Sequence, residues 1–218
     1  FGCGALGDMA CHVMDPAWWA LKLGEARHYS VEVVMQEGMT QEGCPLRSTI
    51  KYTFPARAGM PPVTLYWYDG FWGEGDAKKY NRPPHPAGVP AEEEIGDGGN
   101  GSLFYGSNGI LTSGTYGGES RLLPAERMKD YQRPAPTLAR VPEGNHYQNW
   151  VRACKGEEEA TGPFDYSAPF TEMVLLGNVA LLAGAPLEYN TRTGKITNNE
   201  AANALLTKEY RPGFELPV

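Results

Sequence analysis

Two segments whose side chains alternate between apolar and polar residues constrain the fold of this chain more than any other feature. The segment "LRSTIKYTF" spans residues 46–54, and "PVTLYWYDG" spans residues 62–70. Because successive side chains of a strand point to opposite faces of a sheet, this alternation indicates strands with one buried face and one open face. Such strands are typical of an antiparallel sheet that packs helices on one face. In the first segment the apolar set is Leu46, Ile50, Tyr52 and Phe54, and the polar set is Arg47, Thr49, Lys51 and Thr53.

The order of the remaining patterns predicts the fold class. Helical patterns occupy residues 4–14, a second helix that starts at Asp15-Pro16, and the later segments "NHYQNWVRACKG", "SAPFTEMVLLGNVALLAG" and "NNEAANALLTKEY". Several strands follow the first helix pair, so strands and helices do not alternate as βαβ units. We therefore predict an α+β fold, with an open, mostly antiparallel sheet and helices packed on one face. A chain of 218 residues is long enough for one substantial core, and we expect a single domain over residues 1–218.

Charge, hydropathy and cysteine spacing argue against several classes of protein. The formal net charge is −7 and the sequence has no cluster of lysine and arginine, so we expect no nucleic-acid partner. No apolar run approaches the roughly 20 residues that span a bilayer, so we expect no membrane partner. The four cysteines are irregularly spaced and match no zinc-binding pattern. We predict no metal site.

The opening stretch "FGCGALGDMACHVMD" carries two incompatible motifs. Gly2, Gly4 and Gly7 form G-x-G-x-x-G, the pattern of a dinucleotide-binding turn in which a helix N-terminus holds a pyrophosphate. No strand precedes Gly2 within the sequence, Asp8 would place a carboxylate beside the phosphates, and no further βαβ units follow. We therefore favour the second motif, the pair formed by Asp8 and His12.

The positions of Asp8 and His12 on one helix suit proton transfer. At about 100° per residue, Asp8, His12 and Asp15 fall within about 60° of one another around the helix. An aspartate four residues before a histidine can hold the imidazole and fix its tautomer, which suits a general base near neutral pH. Other interpretations stay open, namely helix capping by the aspartates with a solvated His12, or a metal held by Asp8 and His12. The opposite, apolar arc consists of Met9, Ala10, Val13 and Met14.

Several segments together resemble one enzyme family. The chain resembles the C-terminal, substrate-side domain of the Gfo/Idh/MocA oxidoreductases, in a bacterial branch, which is the glucose–fructose oxidoreductase and inositol dehydrogenase group. The resemblance covers nearly the whole chain. It implies an open, largely antiparallel sheet whose free face commonly packs against a second subunit, and hence a homo-oligomer. The segments that carry it, in order, are "GALGDMACHVMDPAWWALKLG", "LYWYDG", "GSLFYGSNGIL", "RLLP", "NHYQNWVRACKG", "FDYSAPFTEMVLLGNVAL" and "KEYRPGF".

The resemblance also implies a reaction and the residues that perform it. It makes His12 the general acid/base and Asp8 its partner in the oxidation of sugars, polyols or glycosides by hydride transfer to NAD or NADP. Family members carry an N-terminal nucleotide-binding domain with its own glycine fingerprint and an E-K-P motif that supplies a catalytic lysine. Neither feature is in this sequence. We therefore expect NAD or NADP to be bound mainly by a domain outside these 218 residues, and the fragment alone to be inactive. The sequence does not distinguish the bacterial cytoplasm from an exported location.

The aromatic stretch "LYWYDGFW" is a candidate substrate wall. Trp67, Tyr68 and Asp69 combine aromatic faces with a carboxylate, a combination that suits the C–H groups and hydroxyls of a sugar ring. Because Leu65 and Trp67 alternate with Tyr66 and Tyr68, one of these two sets is expected in the core.

Two further residues complete the predicted substrate-binding set. Asp15 follows His12 on the polar side of the helix, and His146 opens a later helical segment. A capping or surface role fits either of them as well.

Two alternatives to net sugar oxidation follow from the same residues. Some relatives use a bound nicotinamide for transient oxidation during glycoside cleavage, which would make the protein an NAD-dependent glycosidase-type enzyme. A non-catalytic sugar-binding or dimerisation module is the other alternative.

Overall fold

The computed structural model describes residues 2–216 of the chain. The helices are α1 (Gly4–Val13), α2 (Asp15–Ala20), α3 (His146–Cys154), α4 (Phe164–Ala183) and α5 (Glu200–Asn203). The strands are β1 (His28–Glu37), β2 (Arg47–Phe54), β3 (Val63–Trp72), β4 (Lys79–Tyr80), β5 (Ser102–Gly106), β6 (Gly109–Ser113), β7 (Arg121–Leu123), β8 (Leu187–Asn190) and β9 (Lys195–Ile196).

The strands form two antiparallel sheets. The larger sheet has six strands in the order β4-β3-β2-β1-β8-β9, and the smaller has the order β5-β6-β7. Neighbouring strands are antiparallel throughout both sheets. The predicted α+β class, with an open, mostly antiparallel sheet, is confirmed.

The alternation within β2 has the expected physical basis. Ile50, Tyr52 and Phe54 are each 0% exposed, and they pack in one cluster with residues of α1 and α4. Lys51, which lies between Ile50 and Tyr52, points to the open face and forms an ion pair with Glu32 of β1 at 2.5 Å. The prediction for Leu46 is wrong, because β2 begins at Arg47 and leaves the Leu46 side chain 71% exposed.

The core between the large sheet and its helices depends on a close approach of α4 to β2. Tyr52 donates a hydrogen bond through Oη to the Val174 carbonyl of α4 at 3.3 Å. Gly177 lies one turn further along α4, and because it has no side chain the Tyr52 hydroxyl can occupy the space beside it. A Cβ at position 177 would also lie 2.6 Å from Leu6 Cδ2 of α1. The small residue therefore lets α4, α1 and β2 meet at one point.

The small sheet lies against the end of α1 and the start of α2. Ser102, at the start of β5, donates through Oγ to the Val13 carbonyl at 2.7 Å. After β6, Gly117 comes so close to Pro16 of α2 that a Cβ would lie 3.2 Å from Pro16 Cγ. These contacts bring the loop after β6 to the end of α1 that carries His12.

Helix α4 differs from the hydropathy expectation. Its 20 residues, Phe164–Ala183, are long and apolar enough to cross a membrane by length and composition. In this structure α4 is a core helix with 44% of that segment buried, and Met173, Leu176 and Ala180 are at most 2% exposed. The sequence pattern predicts no apolar segment of this length, and that prediction is wrong. Although α4 contains polar residues, its mean hydropathy still reaches that of a membrane-spanning helix.

Candidate functional site

Helix α1 packs through one side and exposes the other, as its sequence predicts. Leu6, Ala10 and Val13 are buried against the sheet and α4. Asp8 and His12 are exposed on the remaining surface of the helix. His12 lies in the last turn of α1, directly before the bend at Met14 that separates α1 from α2.

The imidazole of His12 contacts an aromatic ring from a distant part of the chain. The centroids of the His12 and Tyr116 rings are 5.1 Å apart, and their planes are inclined by 69°. Edge-to-face rings at this separation attract one another. Tyr116 lies in the loop after β6, and its side chain is 75% exposed. The site therefore has one polar and one aromatic wall, both open to solvent.

The loop that carries Tyr116 is held by Asp97. Thr115 donates to Asp97 through its amide at 3.0 Å and through its hydroxyl at 2.5 Å. These two hydrogen bonds to the charged form lower the pKa of the Asp97 carboxyl. A Cβ at Gly114 would lie 2.5 Å from Asp97 Oδ2, so the glycine makes room for the carboxylate. We call Asp97, Gly114 and Thr115 the loop clamp.

The predicted pairing of Asp8 with His12 has no direct contact in the described residues. Both side chains are exposed on α1, but no hydrogen bond or ion pair joins the Asp8 carboxylate to the imidazole in residues 2–216. The pairing stays a prediction.

Asp15 accepts a hydrogen bond from a residue of α4. Tyr166 donates through Oη to Asp15 Oδ1 at 2.5 Å. Burial raises the pKa of the Tyr166 hydroxyl, and the hydrogen bond to Asp15 raises it further. Asp15 is the first residue of α2 rather than its N-cap, a difference of one position from the sequence interpretation. Its carboxylate is half-buried near the end of α1, and its substrate-binding role stays a prediction.

Trp67 and Asp69 do not have the positions expected of a substrate wall. Trp67 is 7% exposed and belongs to the core, where its Nε1 donates to Asp69 Oδ2 at 2.7 Å. Asp69 Oδ1 accepts hydrogen bonds from the Ser48 amide at 2.6 Å and from the Ser48 hydroxyl at 2.9 Å. Asp69 Oδ1 therefore joins β3 to β2, and Oδ2 binds Trp67 of the same strand, so both oxygens of this carboxylate have partners within the sheet.

Tyr68 lies on the face of the large sheet opposite to α1. Its register partner is Thr49, and the strand alternation places it with Tyr66, whose ring centroid is 6.2 Å away. Partial burial raises the pKa of the Tyr68 hydroxyl, with further contributions from Tyr66 and from Tyr105 of β5. Because α1 packs on the other face, the structure does not bring Tyr68 together with His12.

His146 lies on a different helix from His12. It is the first residue of α3, which is capped by Asn145 through a hydrogen bond from the Gln148 amide at 3.0 Å. Its exposed ring contacts the Tyr147 ring in a tilted arrangement, with the centroids 4.1 Å apart. No hydrogen bond, ion pair or ring contact joins it to α1 in the described part of the chain, and its substrate-binding role stays a prediction.

The opening glycines have packing roles that do not suit a phosphate site. A Cβ at Gly4 would lie 2.6 Å from Cys44 Cβ, and a Cβ at Gly7 would clash with Cys3 Cβ. Side chains of this chain thus occupy the space that a pyrophosphate would need beside the turn. These residues do not fit a dinucleotide, so NAD or NADP is not assigned to them. In residues 2–216 no group of three or more histidine, cysteine, aspartate or glutamate side chains could hold a metal ion.

Sequence reasoning missed Tyr116, the loop clamp and the contact between Tyr166 and Asp15. The one local signal was "SGTYGG", in which glycines flank a tyrosine directly after a strand. Glycines of this kind permit tight turns and close backbone approach. Nothing local indicates that this loop reaches α1.

Comparisons with models of known protein families, with curated proteins and with solved structures found no match to this chain.

Proposed function

We propose that this chain is the substrate-side domain of an NAD(P)-dependent oxidoreductase that acts on sugars, polyols or glycosides by hydride transfer. The observation that carries the proposal is the exposed imidazole of His12, which α1 presents beside the aromatic ring of Tyr116 at 5.1 Å. Several sequence segments, taken in their order along the chain, resemble the Gfo/Idh/MocA oxidoreductases, and this resemblance supports the same reaction class.

His12 acts as the base for the hydroxyl group that is oxidised. Removal of a hydride from a carbinol carbon leaves a carbonyl only if the hydroxyl proton also departs, and an imidazole nitrogen of His12 accepts that proton. A bound nicotinamide would supply the hydride acceptor. Asp8 is exposed one helical turn before His12, and its proposed role is to orient the imidazole. In the reverse direction the same nitrogen returns the proton.

The test is oxidation of neutral sugars and polyols by the protein expressed from its complete reading frame. Formation of reduced nicotinamide is followed at saturating NAD or NADP. We expect His12→Gln to lower kcat by about 10²–10⁴-fold, the usual contribution of a positioned acid/base group. His28→Gln is the matched control, because His28 is another exposed histidine and lies at the start of β1. A His12→Gln variant with full turnover would remove His12 from the mechanism.

Product analysis separates oxidation from the glycosidase alternative. Net oxidation forms one reduced nicotinamide for each sugar converted, whereas transient oxidation releases the cleaved sugar and leaves the nicotinamide content unchanged. Binding of sugars without either product would identify a non-catalytic module.

A second copy of the chain is the proposed partner at the open face of the large sheet. Glu32, Lys51 and Tyr66 form one row across β1, β2 and β3 on this face, and Tyr66 is 46% exposed. We expect Tyr66→Glu to lower the sedimentation coefficient by dissociating the oligomer. Tyr131→Glu is the control, since Tyr131 is equally exposed at 45% but lies outside the sheet. Unchanged sedimentation of the Tyr66 variant would exclude this interface.

A further inference from the structure

Tyr116 combines a fixed backbone with a free side chain. The loop clamp holds Thr115, which is 7% exposed, while the next residue, Tyr116, is 75% exposed. Gly117 follows with φ +75° and packs on Pro16 of α2, so the loop is held on both sides of the tyrosine. An exposed aromatic ring on a loop held in this way is a feature of binding sites, because the fixed backbone limits the entropy lost when a ligand orders the ring.

The charges around the two rings favour a neutral ligand. Asp8 lies on α1 with His12, and Asp15 begins α2 directly after the bend at Met14, so two acidic residues lie near His12 in sequence. In residues 2–216, no lysine or arginine forms a hydrogen bond, ion pair or ring contact with His12, Tyr116 or Asp15. Hydroxyl groups can donate to carboxylates, whereas a sugar carboxylate or phosphate would be repelled by them.

We propose that Tyr116 is a substrate-contacting residue, whose ring stacks on the C–H face of a neutral sugar ring while His12 meets a hydroxyl at its edge. The inference rests on the proposed function of His12. It adds a second wall to the site and restricts the substrate class to neutral sugars, as opposed to uronic acids and sugar phosphates. The contact between the two rings also fixes the orientation of the imidazole.

The first experiment tests the geometry without any ligand. In NMR spectra, the imidazole protons of His12 carry a ring-current shift from Tyr116 in the wild-type chain. Tyr116→Phe keeps the aromatic ring and retains this shift, whereas Tyr116→Leu removes it. Tyr147→Leu is the matched control, because Tyr147 is 73% exposed and its ring contacts another exposed histidine, His146. An unchanged His12 shift in Tyr116→Leu would overturn the proposed contact.

The second experiment measures binding of methyl β-D-glucopyranoside and of its uronic acid, methyl β-D-glucuronide, to the 218-residue chain. We expect Tyr116→Leu to weaken binding of the neutral glucoside by about threefold to tenfold, the range of one aromatic stacking contact. Tyr116→Phe retains the wild-type affinity, and the glucuronide binds more weakly than the glucoside. Tyr147→Leu binds as the wild type does.

The outcomes distinguish the two proposals. If His12→Gln lowers turnover but Tyr116→Leu changes neither affinity nor KM, the role of Tyr116 is wrong and the proposed function stands. Equal affinity for the glucuronide overturns the restriction to neutral sugars. If neither sugar perturbs the His12 signals, and His12→Gln retains full turnover in the complete protein, the proposed function fails as well.

Discussion

The indole nitrogen of Trp67 donates a hydrogen bond to Asp69, two residues further along the same strand, at 2.7 Å. Residues i and i+2 of a strand share one face, and here that face is covered by helices. The other carboxylate oxygen binds Ser48 on β2. An aromatic and acidic motif that suits a sugar-binding surface by composition is therefore a connection between β2 and β3.

We expect Asp69→Ala to destabilise the protein by about 1–3 kcal/mol. The substitution leaves the indole N–H of a core tryptophan and the Ser48 amide without their acceptors, and an unsatisfied buried donor costs about this amount. The free energy of unfolding in urea measures the change. A substrate-binding role for Asp69 would instead predict unchanged stability with a raised KM.

The Trp67→Phe background is the control for this prediction. Phenylalanine has no N–H to leave unsatisfied, so Asp69→Ala should be less costly in Trp67→Phe than in the wild type. Equal costs in the two backgrounds would show that the indole bond does not contribute.

Gly177→Ala is expected to lower stability through overpacking. The added methyl group would clash with the Tyr52 hydroxyl and with Leu6, and such strain costs about 1–3 kcal/mol in a well-packed core. Thermal and urea unfolding measure the effect.

A substitution at Gly162 is the matched control for Gly177. A Cβ at Gly162 meets no atom within 4 Å, so Gly162→Ala should be close to neutral. Removing the Tyr52 hydroxyl in Tyr52→Phe should partly rescue Gly177→Ala. Absence of rescue would place the strain on Leu6 alone.

The fold class could be predicted from the sequence because local pattern and global packing agree in β2 and α1. Ile50, Tyr52 and Phe54 recur at every second position, and the buried residues of α1 recur at helical spacing. Each pattern fixes which face is buried, and that is sufficient for an antiparallel sheet with helices on one side. The start of β2 was misplaced by one residue, because Leu46 continues the apolar alternation but lies outside the strand.

The site was predicted only in part, since its contacts join residues that are distant in sequence. The exposed positions of Asp8 and His12 follow from helical geometry. The contacts of His12 with Tyr116 and of Asp15 with Tyr166 depend on tertiary packing, which no local pattern reports. Trp67 was ambiguous for a related reason, because alternation identifies two faces of β3 but does not say which one the helices cover.

Loss of the Asp97 carboxylate should release the loop that carries Tyr116. We expect Asp97→Asn to speed hydrogen exchange of the Thr115 amide by about tenfold or more. Each Thr115 hydrogen bond is accepted by a different oxygen of the Asp97 carboxylate, and asparagine has only one oxygen. The folded pKa of Asp97 is lowered, so the stabilisation is present above the unfolded pKa and is lost as pH falls through the folded value. The wild-type loop should therefore loosen only in acid, whereas the variant is loose at neutral pH. Identical exchange in both proteins would contradict the clamp.

Tyr166→Phe should loosen the start of α2 without disturbing the rest of the core. The substitution removes the hydrogen bond at 2.5 Å to Asp15 and leaves the packing of the ring, so we expect a loss of about 0.5–1.5 kcal/mol at neutral pH.

The loss in Tyr166→Phe should depend on pH. Burial and the contact with Asp15 raise the pKa of the Tyr166 hydroxyl, and a group with a raised folded pKa contributes stability below its unfolded pKa. That contribution is lost as pH rises through the folded value, so the advantage of wild type over Tyr166→Phe should be present in the neutral range and shrink in strong alkali. Urea unfolding at several pH values measures both limits. A constant difference at every pH would mean that the Tyr166 hydroxyl has the same pKa in the folded and unfolded chain, which would contradict its burial against Asp15.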